Sequence, residues 1–187
     1  MIRDGNTALI LVDFQKEWFL EDSEFYLGDM DIKVDKVTTL VHEALKEGHN
    51  VIYTKRYIDR HPYEAFPPYQ PSSDTFESRS DIHEEIPVDR GTVVEHYGWD
   101  PFYQTDLENI LVNNQVSHLV IAGLAINAGV RSCIESAFDR GFDITVVKDC
   151  CAGEKDEDVK FTLEDLQKYR EFEVKMLHDF EEFIYSM

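Results

Sequence analysis

Four short apolar runs, Ala8 to Val12, Val51 to Thr54, Leu119 to Ala122 and Ile144 to Val147, alternate along the chain with stretches whose apolar residues recur at helical spacing. Such uninterrupted runs belong to strands buried on both faces, and strands separated by helices build a parallel sheet covered on each side. A weaker run, Thr92 to Glu95, lies between the second and the third. Val34, Val37, Leu40, Val41, Ala44 and Leu45 mark a helix between the first two runs, with Gly48 as its stop. A second helix is expected from about Ala128 to Arg140, ended by Gly141. Thr105-Asp106-Leu107-Glu108 has the spacing of a capping box and predicts a helix through Leu107, Ile110 and Leu111. The expected fold is α/β, a three-layer, doubly wound parallel sheet of Rossmann-like type, in a single domain over 1–187. Ligands of such sheets bind beyond the carboxyl ends of the strands, so the residues that follow each run are the ones that matter for function.

The 187 residues suit one domain, and 43% apolar against 30% charged residues supply both a core and a solvated surface. Thirty-eight acidic residues against eighteen basic ones give a formal charge of -20, which repels phosphate backbones and anionic lipid. Nucleic acid is therefore not an expected partner, and no stretch reaches the length of a membrane span. Cys133, Cys150 and Cys151 are odd in number with two adjacent, which is no disulfide framework, and the first residues are unlike a secretory signal. Both features predict a cytoplasmic protein.

Between Tyr57 and Pro87 the chain is irregular, with Pro67-Pro68 and Pro71 blocking regular structure. Excursions of that length serve as lids, binding loops or subunit contacts. At the other end, Phe172, Met176, Phe180, Phe183 and Ile184 predict an apolar stripe on a helical extension over 160–187, packing on the body or on a second subunit.

Asp13 ends the first apolar run, so its carboxylate emerges at the carboxyl edge of the sheet inside an apolar wall. Burial there makes a usable general acid or base, while a strand-end aspartate also serves simply as a cap. His96 follows the weaker run at the same edge and is either a proton shuttle or a structural residue. Gly123 to Val130 leads from the third strong run into a helix, where backbone amides can hold a developing oxyanion or merely turn the chain. The cysteines read as core filler unless a neighbour activates one of them. No histidine spacing of a metal site is present, Asp59-Arg60-His61 alone is too little for one, and no metal or cofactor is expected.

Together, Leu11-Val12-Asp13-Phe14-Gln15, Asp100 to Leu107, Gly123 to Val130 and Val146-Val147-Lys148-Asp149 resemble the isochorismatase-like hydrolase superfamily, which also holds nicotinamidases and other cysteine hydrolases. The cysteine hydrolases use an aspartate, a lysine and a cysteine, with a non-proline cis peptide ahead of the nucleophile helix. The resemblance places the aspartate on Asp13, the oxyanion hole on the amides of Ala125 and Gly129, the lysine position on His96 and the nucleophile position on Gly129. Around Arg56 and Ile58 the metal ligands of nicotinamidases find no match. Glycine at the nucleophile position is similar to the isochorismatases, which cleave a vinyl ether without a thiolate; His96, Arg131 and Arg56 are the candidates for the missing positive charge.

The resemblance thus implies a hydrolase of a small molecule that works without a covalent cysteine intermediate. In it Asp13 acts as general acid or base, His96 assists, and Phe14, Trp18, Trp99, Phe102 and Arg131 hold the substrate. A catalytically degenerate member that binds a small molecule or a protein is the alternative, and a covalent enzyme using a displaced cysteine is a third. The superfamily also implies a homo-oligomer.

Overall fold

The structure is a computed structural model that describes residues 5–57 and 79–179. Its centre is a six-stranded parallel sheet formed by β1 (Asn6–Val12), β2 (Asn50–Tyr57), β3 (Thr92–Tyr97), β4 (Val116–Gly123), β5 (Asp143–Cys151) and β6 (Glu173–Lys175), in the order β3-β2-β1-β4-β5-β6. Among the described residues the α-helices are α1 (Asp31–Lys46), α2 (Leu107–Asn113), α3 (Arg131–Asp139) and α4 (Asp156–Leu166). Chain direction across the sheet reverses between β1–β2–β3 and β4–β5–β6. Right-handed crossovers then put α1 on one face and the later helices on the other, giving the expected three layers. The switch point falls between β1 and β4, whose carboxyl ends are Val12 and Gly123, paired in register.

Leu9, Ile10, Leu11, Leu119 and Ile121 are among the largest fully buried side chains, which is why the two central strands carry unbroken apolar runs. The edge strand β3 instead alternates, burying Val94 and His96 between exposed neighbours. Gly123 has φ +128, and a Cβ there would stand 2.1 Å from the carbonyl oxygen of Val12, so only glycine lets the end of β4 lie this close to the end of β1. Among the described residues, no helix is long and apolar enough to cross a membrane.

Three expectations change. Residues 173–175, expected within a C-terminal helix, form β6 on the edge of β5. Phe172, Val174 and Met176 alternate with Glu173 and Lys175, and this period of two won over the helical spacing of Phe172 and Met176. Phe180, Phe183 and Ile184 lie outside the described residues. The capping box at Thr105 does not form. The Thr105 hydroxyl accepts from the Leu107 amide at 3.3 Å and donates to the Pro101 carbonyl at 2.6 Å, while Glu108 pairs with Arg140. Thirdly, α3 is preceded by a single π-turn, Ile126–Val130, so the helical segment starts two residues before Ala128. Most of the 57–87 excursion, with Pro67, Pro68, Pro71 and Asp59-Arg60-His61, falls outside the described residues.

Candidate active site at the switch point

Asp13 stands one residue past β1 and is fully buried. Its backbone is left-handed, φ +44, a conformation aspartate tolerates better than most side chains. Three contacts fix it there. The Asp13 amide donates to Thr54 Oγ1 at 3.0 Å, and its carbonyl accepts from the Gln15 amide and from Trp18 Nε1, each at 2.8 Å. The carboxylate is thereby aimed across the end of β2. Oδ1 accepts from the Thr54 hydroxyl at 2.6 Å and lies 2.8 Å from His96 Nε2. His96 Nδ1 is buried and has no hydrogen-bond partner among the described residues.

Strand geometry explains these meetings. Thr54 and Arg56 are two apart on β2 and share a face, and Arg56 lies opposite His96 in the β2–β3 register. Gln15 clamps that strand end. Its amide donates to the carbonyls of Arg56 at 3.0 Å and Ser80 at 2.6 Å and accepts from the Arg56 amide at 2.9 Å. Asp13 Oδ2, by contrast, has no hydrogen bond among the described residues, and 3.8 Å away stands Arg56 Nε, also buried and without one.

Arg56 is 4% exposed and lies against the ring faces of Trp99, Phe25 and Trp18, its guanidinium carbon 3.9, 5.2 and 5.8 Å from their centroids. Its Nη2 pairs with Glu17 Oε1 at 3.2 Å. Burial pushes the Glu17 carboxyl up to about 7 against the opposing pull of Arg56, while burial draws Arg56 down and Asp13 and Glu17 hold it up. An arginine retains its charge in such a place, so the site contains one fixed cation between two carboxyl groups.

The segment after β4 closes the site. The Leu124–Ala125 peptide is cis, and the π-turn carries Gly129 up to Asp13. A Cβ at Gly129 would lie 3.0 Å from Asp13 Oδ2 and 3.2 Å from Val12 Cγ1. The place where a side chain of residue 129 would begin is therefore the space in front of the unpartnered carboxylate oxygen. No thiol stands in for it. Cys133, Cys150 and Cys151 are all buried, and burial raises each thiol, that of Cys151 to about 12. Thiols held so high are protonated at neutral pH and are poor nucleophiles. Among the described residues, no group of three His, Cys, Asp or Glu side chains is arranged to hold a metal ion.

The residues expected to hold a substrate sit differently from one another. Trp18 supports the Asp13 carbonyl and Arg56, and Trp99, 38% exposed, covers Arg56 from the solvent side. Phe14 is buried against Phe19 and His83, and Phe102 is buried beneath Arg140 and beside Phe142. Arg131 is engaged by Asp165 at 2.9 Å and Glu135 at 3.4 Å. Sequence reasoning missed Thr54, Gln15 and Glu17. The signal available for Thr54 and Arg56 was two polar side chains at alternate positions ending an apolar strand.

The Isochorismatase domain model matches residues 7–174. The isochorismatase family protein YaaI of Bacillus subtilis (strain 168) is 29% identical over 160 residues, covering 85% of this chain and 87% of YaaI. The ureidoacrylate amidohydrolase RutB of Klebsiella pneumoniae is 24% identical over 163 residues, 73% of this chain and 67% of RutB. In fold, the chain superimposes on a cysteine hydrolase from Pseudomonas syringae pv. phaseolicola with a TM-score of 0.84 at 18% identity, covering 99% of this chain and 95% of that one. With its sheet order, its switch-point carboxylate and a family match running over six strands, this chain belongs to the isochorismatase family.

Proposed function

We propose that the protein hydrolyses a small molecule without a covalent cysteine intermediate, with Asp13 as the general acid or base. One observation carries the reading: the unpartnered Oδ2 of Asp13 faces the position of a Gly129 side chain, where there is no nucleophile, and every thiol of the chain is buried and raised. Oδ1 is occupied by Thr54 and His96, so proton traffic passes through Oδ2. The ionised carboxylate takes a proton from water as the hydroxyl oxygen attacks, or the protonated acid delivers one to the substrate before water adds. His96 keeps the carboxyl group oriented through Oδ1. The amides of Ala125 and Gly129 hold the oxygen on which charge develops, and Arg56, 3.8 Å from Oδ2, supplies a cation beside the carboxyl group.

RutB, an amidohydrolase of a ureido compound, makes that class one of those to test, beside vinyl ethers, aromatic amides and esters. Wild type and Asp13→Asn are compared on this panel, with mass spectrometry of the protein during turnover. The expected result is product from wild type, at least about a thousandfold less from the variant, and no mass added to the protein. Equal turnover by the variant, or an adduct on Cys133, Cys150 or Cys151, overturns the reading. Ligand-induced stabilisation without product on every class supports instead a family member that binds without chemistry.

A further inference from the structure

A cavity of about 500 Å³ opens away from Asp13, beside the carboxyl end of β5 and between α4 and β6. None of the residues that hold Asp13 lines it. The segment from Gly123 to the π-turn stands between the two places: the Ile126 amide donates to the Ala152 carbonyl at 2.8 Å, and Gly153 in the cavity wall packs against Ile126. Its lining includes the apolar Val159, Leu163, Val174 and Met176 and the lysines Lys33, Lys148, Lys155 and Lys160.

Four of the ten lysines at one opening are unexpected in a chain of net charge -20. The described acids nearest the opening are engaged by other groups: Asp158, beside Gly153, accepts from the Lys155 amide at 2.9 Å. The carboxylate of Asp149 is taken by Lys36 Nζ at 2.8 Å and by the Leu177 amide at 2.8 Å, and its carbonyl by Lys33 Nζ at 3.1 Å. Glu164 meets Lys160 in an exposed pair at 3.8 Å, which contributes little. Lys148 and Lys155 have no carboxylate partner among the described residues. Two ammonium groups without a carboxylate partner among the described residues, beside an apolar hollow, suit a ligand that brings the opposite charge.

We infer that this cavity is a second binding site, taking a small molecule with an apolar body and one oxyanion head, whether carboxylate or phosphate. The body fills the hollow between α4 and β6, and the head meets Lys148 and Lys155, with Lys33 and Lys160 beside them. The inference stands apart from the chemistry at Asp13, because it needs neither turnover nor the carboxylate there.

Binding of phenyl phosphate and of benzoate to the whole protein is measured by calorimetry at low salt. Wild type is compared with the double variant Lys148→Glu, Lys155→Glu and with Asp13→Asn. Both substituted lysines are exposed, so the double variant is expected to fold, which its unfolding temperature checks. At least one probe is expected to saturate wild type below about 1 mM and to bind the double variant at least about tenfold more weakly, with Asp13→Asn unchanged. Tighter phenyl phosphate identifies a phosphate head and tighter benzoate a carboxylate. The inference is overturned if neither probe saturates by about 10 mM, if the double variant binds as well as wild type, or if Asp13→Asn abolishes binding.

Discussion

Glu17 is the described carboxyl group most displaced by its surroundings, since burial lifts it from 4.5 to about 7. The folded protein therefore binds a proton there that the unfolded chain releases between those values. A carboxyl raised on folding contributes its stability in full below pH 4.5 and loses it as pH rises through 7. The loss amounts to on the order of 3 kcal/mol above that range. Glu17→Gln keeps a side-chain oxygen for Arg56 Nη2 but cannot ionise. Urea unfolding at pH 5 and pH 8 is expected to show wild type falling relative to the variant as pH rises; a wild type that gains instead means that the ion pair with Arg56 outweighs the cost of burial. Nothing in the sequence announced this carboxyl. Glu17 is one of thirty-eight acidic residues, and its burial depends on Arg56, thirty-nine positions away, being brought over it by strand pairing. Asp13 was legible because it ends an apolar run, and a charge that follows such a run can only sit at the edge of a buried sheet.

At the scale of elements, the close approach of the carboxyl ends of β1 and β4 brings Asp13 and the segment after β4 together, and it rests on Gly123. A methyl group at this position meets the Val12 carbonyl oxygen at 2.1 Å and its amide nitrogen at 2.6 Å, both backbone atoms that cannot swing aside. The residue also has φ +128, which side chains rarely adopt. Gly123→Ala is accordingly expected to cost more than about 4 kcal/mol, seen as a collapse of the thermal transition or loss of soluble protein. A variant with an unfolding temperature close to wild type would mean that the ends of β1 and β4 can move apart without loss. The sequence showed this junction as a glycine between a strand and a helix, and the four strong strands emerged from their uninterrupted burial. The edge strand β6 was hidden for the converse reason. It is three residues long and polar at alternate positions, and its pattern is compatible with a helical face until Glu173 to Lys175 are placed against β5.

The charge of the whole molecule has a different consequence from that of any single pair. With thirty-eight acidic and eighteen basic residues, mean repulsion opposes the compact state, and the unfolded chain relieves it by expansion. The exposed pairs Lys46–Glu43 and Lys160–Glu164 return little, whereas Arg56 and its carboxyl neighbours are buried and barely screened. Raising salt from about 0.01 M to about 0.1 M shortens the Debye length from about 30 Å to about 10 Å, which weakens long-range repulsion while leaving the buried cluster intact. The unfolding temperature at pH 8 is therefore expected to rise by a few degrees over that range. A fall would mean that surface pairs stabilise the fold more than the net charge destabilises it. The same titration bears on the lysine-lined cavity, because salt also screens its attraction for an oxyanion. Stability and oxyanion binding should then move in opposite directions as salt rises, since one is limited by repulsion over the whole surface and the other depends on attraction at a single place on it.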